Sequence, residues 1–307
     1  MEQQLTRIAV KIGSNVLTRR DGTLDVTRMS ALVDQIAGLH KAGVEIILVS
    51  SGAVASGRSE IHPTKKLDSV DQRQLFSAVG QAKLINRYYE LFREHGIPVG
   101  QVLTMKENFG TRRHYLNQKN CMTVMLENGV IPIVNENDTI SVSELMFTDN
   151  DELSGLIASM MDVQALIILS NIDGIYNGSP ADPASEVIRE IEHGKDLSSY
   201  IQTSKSSFGR GGMLTKTNIA RKVADEGITV IIANGKRDNI LTDILRNEEL
   251  RMKNEELKYT RFIPSPEPVS SVKKWIAHSE GFAKGELHIN ECATKILASD
   301  KAVSILP

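Results

Sequence analysis

VEIILVSSGAVASG, residues 44–57, decides the architecture. Its first half, VEIILVS at 44–50, is a nearly unbroken apolar run, the pattern of a strand covered on both faces rather than one with a wet side. Its second half is serine, glycine and alanine, and it reads as a tight turn entering a helix. A strand buried on both faces and followed directly by a helix belongs to a parallel sheet lying between helical layers.

The same alternation recurs on either side. RIAVKIG at 7–13 reads as a strand, and 27–42 as a helix with Met29, Leu32, Val33, Ile36 and Leu39 on one face, stopped by Gly43. A helix near 72–94 leads into the strand IPVGQVL at 97–103. Another at 112–127 leads into VIPIV at 130–134, and a third at 152–161 into ALIILS at 165–170. The last helix, 213–226, precedes ITVIIA at 228–233. Six such units predict an α/β fold, with helices on both faces of a mainly parallel central sheet, within the roughly 250 residues one α/β domain can reach. RNEELRMKNEELKYTR at 246–261 reads as a solvated helix or a linker, and beyond it the composition turns richer in proline and serine. A domain boundary is expected near 260, leaving a tail too short for a secure core of its own.

Composition narrows the function. A net charge of −2 gives no electrostatic reason to expect nucleic acid or an acidic membrane. No basic start with an apolar core stands at the N-terminus, and no apolar run approaches the ~18 residues of a membrane span, so a cytoplasmic protein is expected. Cys121 and Cys292 lie far apart and outside any Cys-x-x-Cys pair; both are expected as small buried apolar groups in a reducing compartment. The histidines show no metal-ligand spacing, and no residue is assigned as a metal ligand.

Ligands of open parallel sheets bind outside the carboxyl ends of the strands. There the sequence places Lys11 with Gly13, Ser14 and Asn15; Ser50, Ser51 and Gly52; NENDTISVSELMFTDND at 135–151; Asn171, Asp173, Gly174 and Tyr176; and the loop FGRGGMLTK at 208–216. Glycines that admit backbone N–H groups, helix N-termini behind them, and the lysines Lys11 and Lys216 suit phosphoryl transfer. Neither the P-loop nor the dinucleotide fingerprint is present. Each piece also has a structural reading: a solvated surface lysine, a small-residue helix packing closely, a flexible glycine loop, and a polar hairpin formed by TISVSELMF.

In order along the chain, VKIGSNVL, VSSGAVASG, VGQ, IPIVNENDTIS, FTDNDELSG, LSNIDGIY and GRGGMLTKTNIARKVADEGI resemble the amino acid kinase family, over roughly 1–258. NENDTIS followed by DNDELS resembles the glutamate 5-kinase branch in particular. VSSVKKWIAHS and KGELHINECATKIL in the tail are similar to the start of a PUA domain. The resemblance implies a three-layer αβα sandwich at 1–258 and an incomplete, β-rich, PUA-like segment at 259–307. It also implies MgATP-dependent phosphorylation of the γ-carboxylate of L-glutamate, the step that opens proline biosynthesis.

Roles follow from the same resemblance. Lys11 and Lys216 would stabilise the transferring phosphoryl group, and Asp151 would orient them or the metal. Ser51, Asp138 and Asn150 would hold glutamate. Lys11, Ser170, Asn171, Arg210, Gly211, Gly212, Met213, Leu214, Thr215 and Lys216 would hold the nucleotide. Mg²⁺ would enter with ATP. Proline is implied as inhibitor, a homo-oligomer (dimer or tetramer) as the assembly, and glutamate-5-semialdehyde dehydrogenase as a possible recipient of the product. The chain departs from the family pattern where Ser170-Asn171 replaces Thr-Asp and where Arg210 replaces a common Thr. Two other readings are a family member acting on a different carboxylate, and an RNA-binding protein on an inactive kinase fold. Against the latter, residues 259–307 carry six Lys/Arg and five Asp/Glu, a balanced charge.

Overall fold

The computed structural model describes residues 5–141, 147, 149–180, 182–195, 213–246, 257–267, 269–277 and 290–297. The elements run β1 (Arg7–Ile12), α1 (Ser14–Leu17), α2 (Val26–Lys41), β2 (Glu45–Ser50), α3 (Ala53–Arg58), α4 (Ser69–Glu94), β3 (Val99–Thr104), α5 (Glu107–Gly110), α6 (Arg112–Glu127) and β4 (Ile131–Glu136). They continue with α7 (Asn150–Met160), β5 (Ala165–Ser170), β6 (Glu190–Ile191), α8 (Met213–Asp225), β7 (Thr229–Asn234), α9 (Ile240–Arg246), β8 (Tyr259–Phe262), α10 (Ser271–Ala277) and α11 (Glu291–Leu297).

One sheet of eight strands, in the order β3-β4-β2-β1-β5-β7-β8-β6, forms the middle layer. Every pairing is parallel except β7 with β8. The two-residue pleat sorts its side chains into two cores. Ile8, Val10, Ile46, Leu48, Ile167 and Leu169 pack on the face covered by α2, α4 and α9. Ala9, Ile47, Val49, Leu166 and Ile168 pack on the opposite face, under α6, α7 and α8. Both faces are dry, which is why these strands carry apolar residues at successive positions.

The expected strands and helices are found within a few residues, and the sheet has two strands more than the alternation predicted. β6 is only two residues long, and β8 lies beyond the charged stretch, where it joins the sheet antiparallel to β7. Residues just past the expected boundary at 258 are therefore part of the same sheet. Further along, α10 packs against the layer of helices on the α7 face of the sheet: the Trp275 indole N–H donates to the Phe109 carbonyl at 3.0 Å, and Lys274 donates to Asp162 at 3.0 Å. Among the described residues no helix is long and apolar enough to cross a membrane. Cys121 corrects the expectation of a buried thiol. The buried face of α6 carries Tyr115, Met122 and Leu126, and Cys121, one position off that face, is exposed and free. The side chain of Cys292 and most of the proposed hairpin at 139–147 lie outside the described residues.

Candidate active site

The parallel strands end at one edge of the sheet, and registers such as Ile12 opposite both Ser50 and Leu169 bring their last residues side by side. Lys11, next to last in β1, is buried at 5 % exposure, which a lysine tolerates only when its charge is answered. The answer is Asp151, fully buried on the first turn of α7: Lys11 Nζ pairs with its Oδ1, and Lys216 Nζ, from α8, pairs with its Oδ2 at 2.5 Å. Burial pushes the Asp151 carboxyl up, but the two ammonium groups outweigh it and hold the carboxyl below the ordinary aspartate range. Gly13 leaves room here, since a Cβ on it would stand 3.1 Å from the Leu169 carbonyl and 3.5 Å from Lys11 Nζ.

Asp149 caps α7 by accepting from the N–H groups of Asp151 and Glu152 at 2.9 and 3.1 Å. Its carboxyl is pushed up, first by burial and then by the negative charge of Asp151. Among the described residues its Oδ2 is buried without a hydrogen-bond partner.

Asn150 follows the cap and faces the turn after β2. Its Nδ2 donates to Ser51 Oγ at 2.9 Å and to Asn135 Oδ1 at 3.0 Å, and Asn135 in turn donates to Gln81 Oε1 at 2.8 Å. Gly52, at φ +112°, supplies the left-handed residue that turns the chain from β2 into α3. The result is a row of neutral amide and hydroxyl groups beside the two lysines.

Asp138 lies two residues past the end of β4. It is already engaged by Arg73 from α4, whose Nε donates to its Oδ1 at 2.7 Å, while Ser77 Oγ donates to Oδ2 at 3.1 Å. The same guanidinium donates to Glu136 Oε2 at 2.7 Å. Glu136 Oε1 accepts from Ser141 Oγ and from the Phe147 N–H, both at 3.0 Å. Burial first, and then the charge of Asp138, push the Glu136 carboxyl up against the lowering effect of these donors.

Arg73, Ser77 and Gln81 are spaced i, i+4, i+8, so one face of α4 forms a wall of this pocket. On that face the sequence singled out only Gln81, within VGQ; Arg73 and Ser77 were missed. Two glycines bring the helix close: a Cβ on Gly80 would overlap the Ala53 carbonyl, and one on Gly57 would overlap that of Phe76, so α3 and α4 touch backbone to backbone.

The nucleotide-side residues fall in part within the described chain. Ser170 ends β5 at 6 % exposure, and its carbonyl accepts from Gly235 N–H at 2.8 Å. Asn171 follows it, and Asp173 is held by Asn234 Nδ2 at 2.9 Å. Met213, Leu214, Thr215 and Lys216 form the first turn of α8, with Leu214 exposed. Arg210, Gly211 and Gly212 lie outside the described residues. The structure thus joins Lys11, Asp151 and Lys216 in one cluster, Ser51 and Asn150 in a second, and Asp138 with Arg73 in a third.

The amino acid kinase family matches this chain over residues 6–234. The chain is 86% identical over 307 residues to a glutamate 5-kinase of Bacteroides thetaiotaomicron, covering 100% of this chain and 84% of that protein. It is 48% identical to one of Chlorobaculum tepidum, covering 98% and 81% of the two chains. Among solved structures, an isopentenyl phosphate kinase superposes with a TM-score of 0.55 at 17% identity, over 83% of this chain and 99% of that one. A UMP kinase of Bacillus anthracis does so with a TM-score of 0.55 at 13% identity, over 85% and 97%. At those identities the two structures speak for the fold alone.

Proposed function

The chain belongs to the amino acid kinase family and, within it, to the glutamate 5-kinases, and on that premise we propose that it moves the γ-phosphoryl group of ATP onto the γ-carboxylate of L-glutamate, giving ADP and L-glutamyl 5-phosphate. The observation that carries this reading is the Lys11–Asp151–Lys216 cluster: two ammonium groups held by one buried carboxylate where the strands end.

Phosphoryl transfer asks the protein mainly for positioning and neutralisation. Lys11 and Lys216 neutralise the charge on the moving group, and Asp151 fixes the distance between them. The acceptor needs no general base, because a free γ-carboxylate with a pKa of about 4.3 is already ionised at neutral pH. Transfer is direct and in line, with no covalent enzyme intermediate. Ser51 and Asn150 meet the substrate's carboxylates with neutral donors, which does not over-stabilise the nucleophile. Asp138 and Glu136 meet its ammonium. Ser170, Asn171 and the start of α8 face the nucleotide.

Magnesium, carried in with ATP, would neutralise phosphate oxygens. The buried Asp149 Oδ2, without a hydrogen-bond partner among the described residues, is an oxygen of the kind such a cation takes. The place in proline biosynthesis, inhibition by proline, homo-oligomer formation and the handover of a labile acyl phosphate belong to the same proposal.

The test is ADP release with glutamate, N-acetylglutamate, aspartate and UMP as acceptors, with and without proline. Turnover with glutamate, trapped as the hydroxamate, is expected. Turnover with another acceptor and none with glutamate overturns the assignment.

A further inference from the structure

Three of the groups described above form a unit whose charge has a consequence for substrate choice. Glu136 and Asp138 are two residues apart and both buried, at 4 % and 8 % exposure. Arg73 bridges them with a fork: Nε and Nη2 reach Asp138 Oδ1 at 2.7 and 2.5 Å, and Nη2 reaches Glu136 Oε2 at 2.7 Å. The other oxygen of each carboxylate is also held, by Ser77 on Asp138 and by Ser141 and Phe147 on Glu136. One cation and two anions leave a single net negative charge. An unbridged pair of buried carboxylates would instead take up a proton or a divalent cation to relieve its repulsion.

Resting on the glutamate reading, we propose that Arg73 is a substrate-positioning residue: it holds Glu136 and Asp138 apart as a charged pair with room for one more cation, the α-ammonium of the acceptor. A lysine would supply the charge but not the planar fork that reaches both carboxylates at once. Among the described residues, the charged groups facing Glu136 are Asp138, two residues on, and Arg73, from α4, with the Ser141 hydroxyl and Phe147 N–H as neutral donors. Without the guanidinium, the Phe147 N–H and the Ser141 hydroxyl alone oppose burial and the charge of Asp138, and the balance moves toward the protonated carboxyl.

The experiment measures KM for glutamate, KM for MgATP and kcat between pH 6 and 8.5 for wild type, R73M, R73K and R73M/E136Q. For R73M, KM for glutamate is expected to rise roughly tenfold or more, the loss of one charge-assisted hydrogen bond. The rise should grow as pH falls, while kcat and KM for MgATP stay within about threefold. R73K, which supplies the charge without the fork, should recover only part of the loss. R73M/E136Q removes one of the two buried charges that R73M leaves unbridged, so it serves where R73M does not fold, and its KM should be high and no longer vary with pH through Glu136. A pH-flat R73M, a kcat that falls together with affinity, no recovery in R73K, or a double variant that keeps the pH dependence of R73M overturns the role of Arg73. A wild type that does not phosphorylate glutamate overturns the functional reading itself.

Discussion

Lys216, on the first turn of α8, places its ammonium 2.5 Å from Oδ2 of Asp151, on the first turn of α7. Sixty-five residues separate them in sequence. They meet because α7 and α8 pack side by side over the same face of the sheet, with Gly155 facing Ile219 and Val223. Asp151 is 0 % exposed, so the pair is shielded from water on the carboxylate side.

That geometry predicts the effect of removing one cation. K216M keeps most of the side-chain length and loses the charge. Deleting one preorganised charge-stabilising group costs roughly 10²–10³ in kcat. KM for glutamate should change little, since the proposed contacts of the acceptor lie with Ser51, Asn150 and Asp138. Hydroxamate formation at the wild-type rate would refute the assignment of Lys216.

Asp149 and Asp151 predict opposite dependences of stability on pH. Asp151 has a depressed carboxyl, so it contributes stability above the unfolded-state value of about 3.9, lost only as pH falls through the lower folded value. Asp149 has a raised carboxyl, so its contribution is present below the unfolded-state value and lost as pH rises through the higher folded one. D149N keeps the capping oxygen and removes the charge beside Asp151. It should be more stable than wild type near pH 8, with the gain shrinking as pH falls and Asp149 takes up its proton. Urea midpoints at pH 5 and pH 8 measure this; a difference that is constant or reversed in sign refutes it.

Asn150 joins the turn after β2 to the end of β4 through bonds to Ser51 Oγ and Asn135 Oδ1. N150A leaves both groups short of a donor, and in the proposed arrangement the Ser51 hydroxyl, no longer held by Asn150, loses its aim at the acceptor's carboxylate. At about 1.5–3 kcal/mol for a hydrogen bond to a charged group, KM for glutamate should rise roughly 10- to 100-fold. KM for MgATP should not follow. Equal changes in both would mean that Asn150 supports the fold of the site and does not contact the acceptor.

The layers were legible because their physics is local. Ile46 to Val49 is apolar at every position, and that can be seen without knowing the partner strands. β8 was missed because its place depends on β7, across a charged stretch whose composition suggests solvent. The site divides the same way. That lysines, asparagines and aspartates gather at strand ends follows from their positions after apolar runs. That Lys11 and Lys216 share Asp151 came from likeness to a family, since no spacing rule links residues this far apart. Arg73 was lost for the same reason: on its helix it reads as one more surface charge, and its partners lie 63 and 65 residues downstream.

Trp275 provides the last prediction, because it connects the tail to the substrate side of the site. Its indole N–H donates to the Phe109 carbonyl at 3.0 Å, and Arg112 lies over its ring at 5.5 Å. The Phe109 ring meets that of Phe147 edge to face at 5.9 Å, and the Phe147 N–H holds Glu136 Oε1 at 3.0 Å. Loosening α10 should therefore be felt at Glu136. W275A loses a hydrogen bond and a partly buried ring, a destabilisation of roughly 1–3 kcal/mol. Glutamate KM should rise several-fold, with kcat and KM for MgATP held. W275F keeps a ring under Arg112 and loses only the N–H donor, so it should fall between wild type and W275A in both stability and KM. If W275A loses stability while its KM for glutamate stays at the wild-type value, α10 buttresses the fold without reaching the acceptor site.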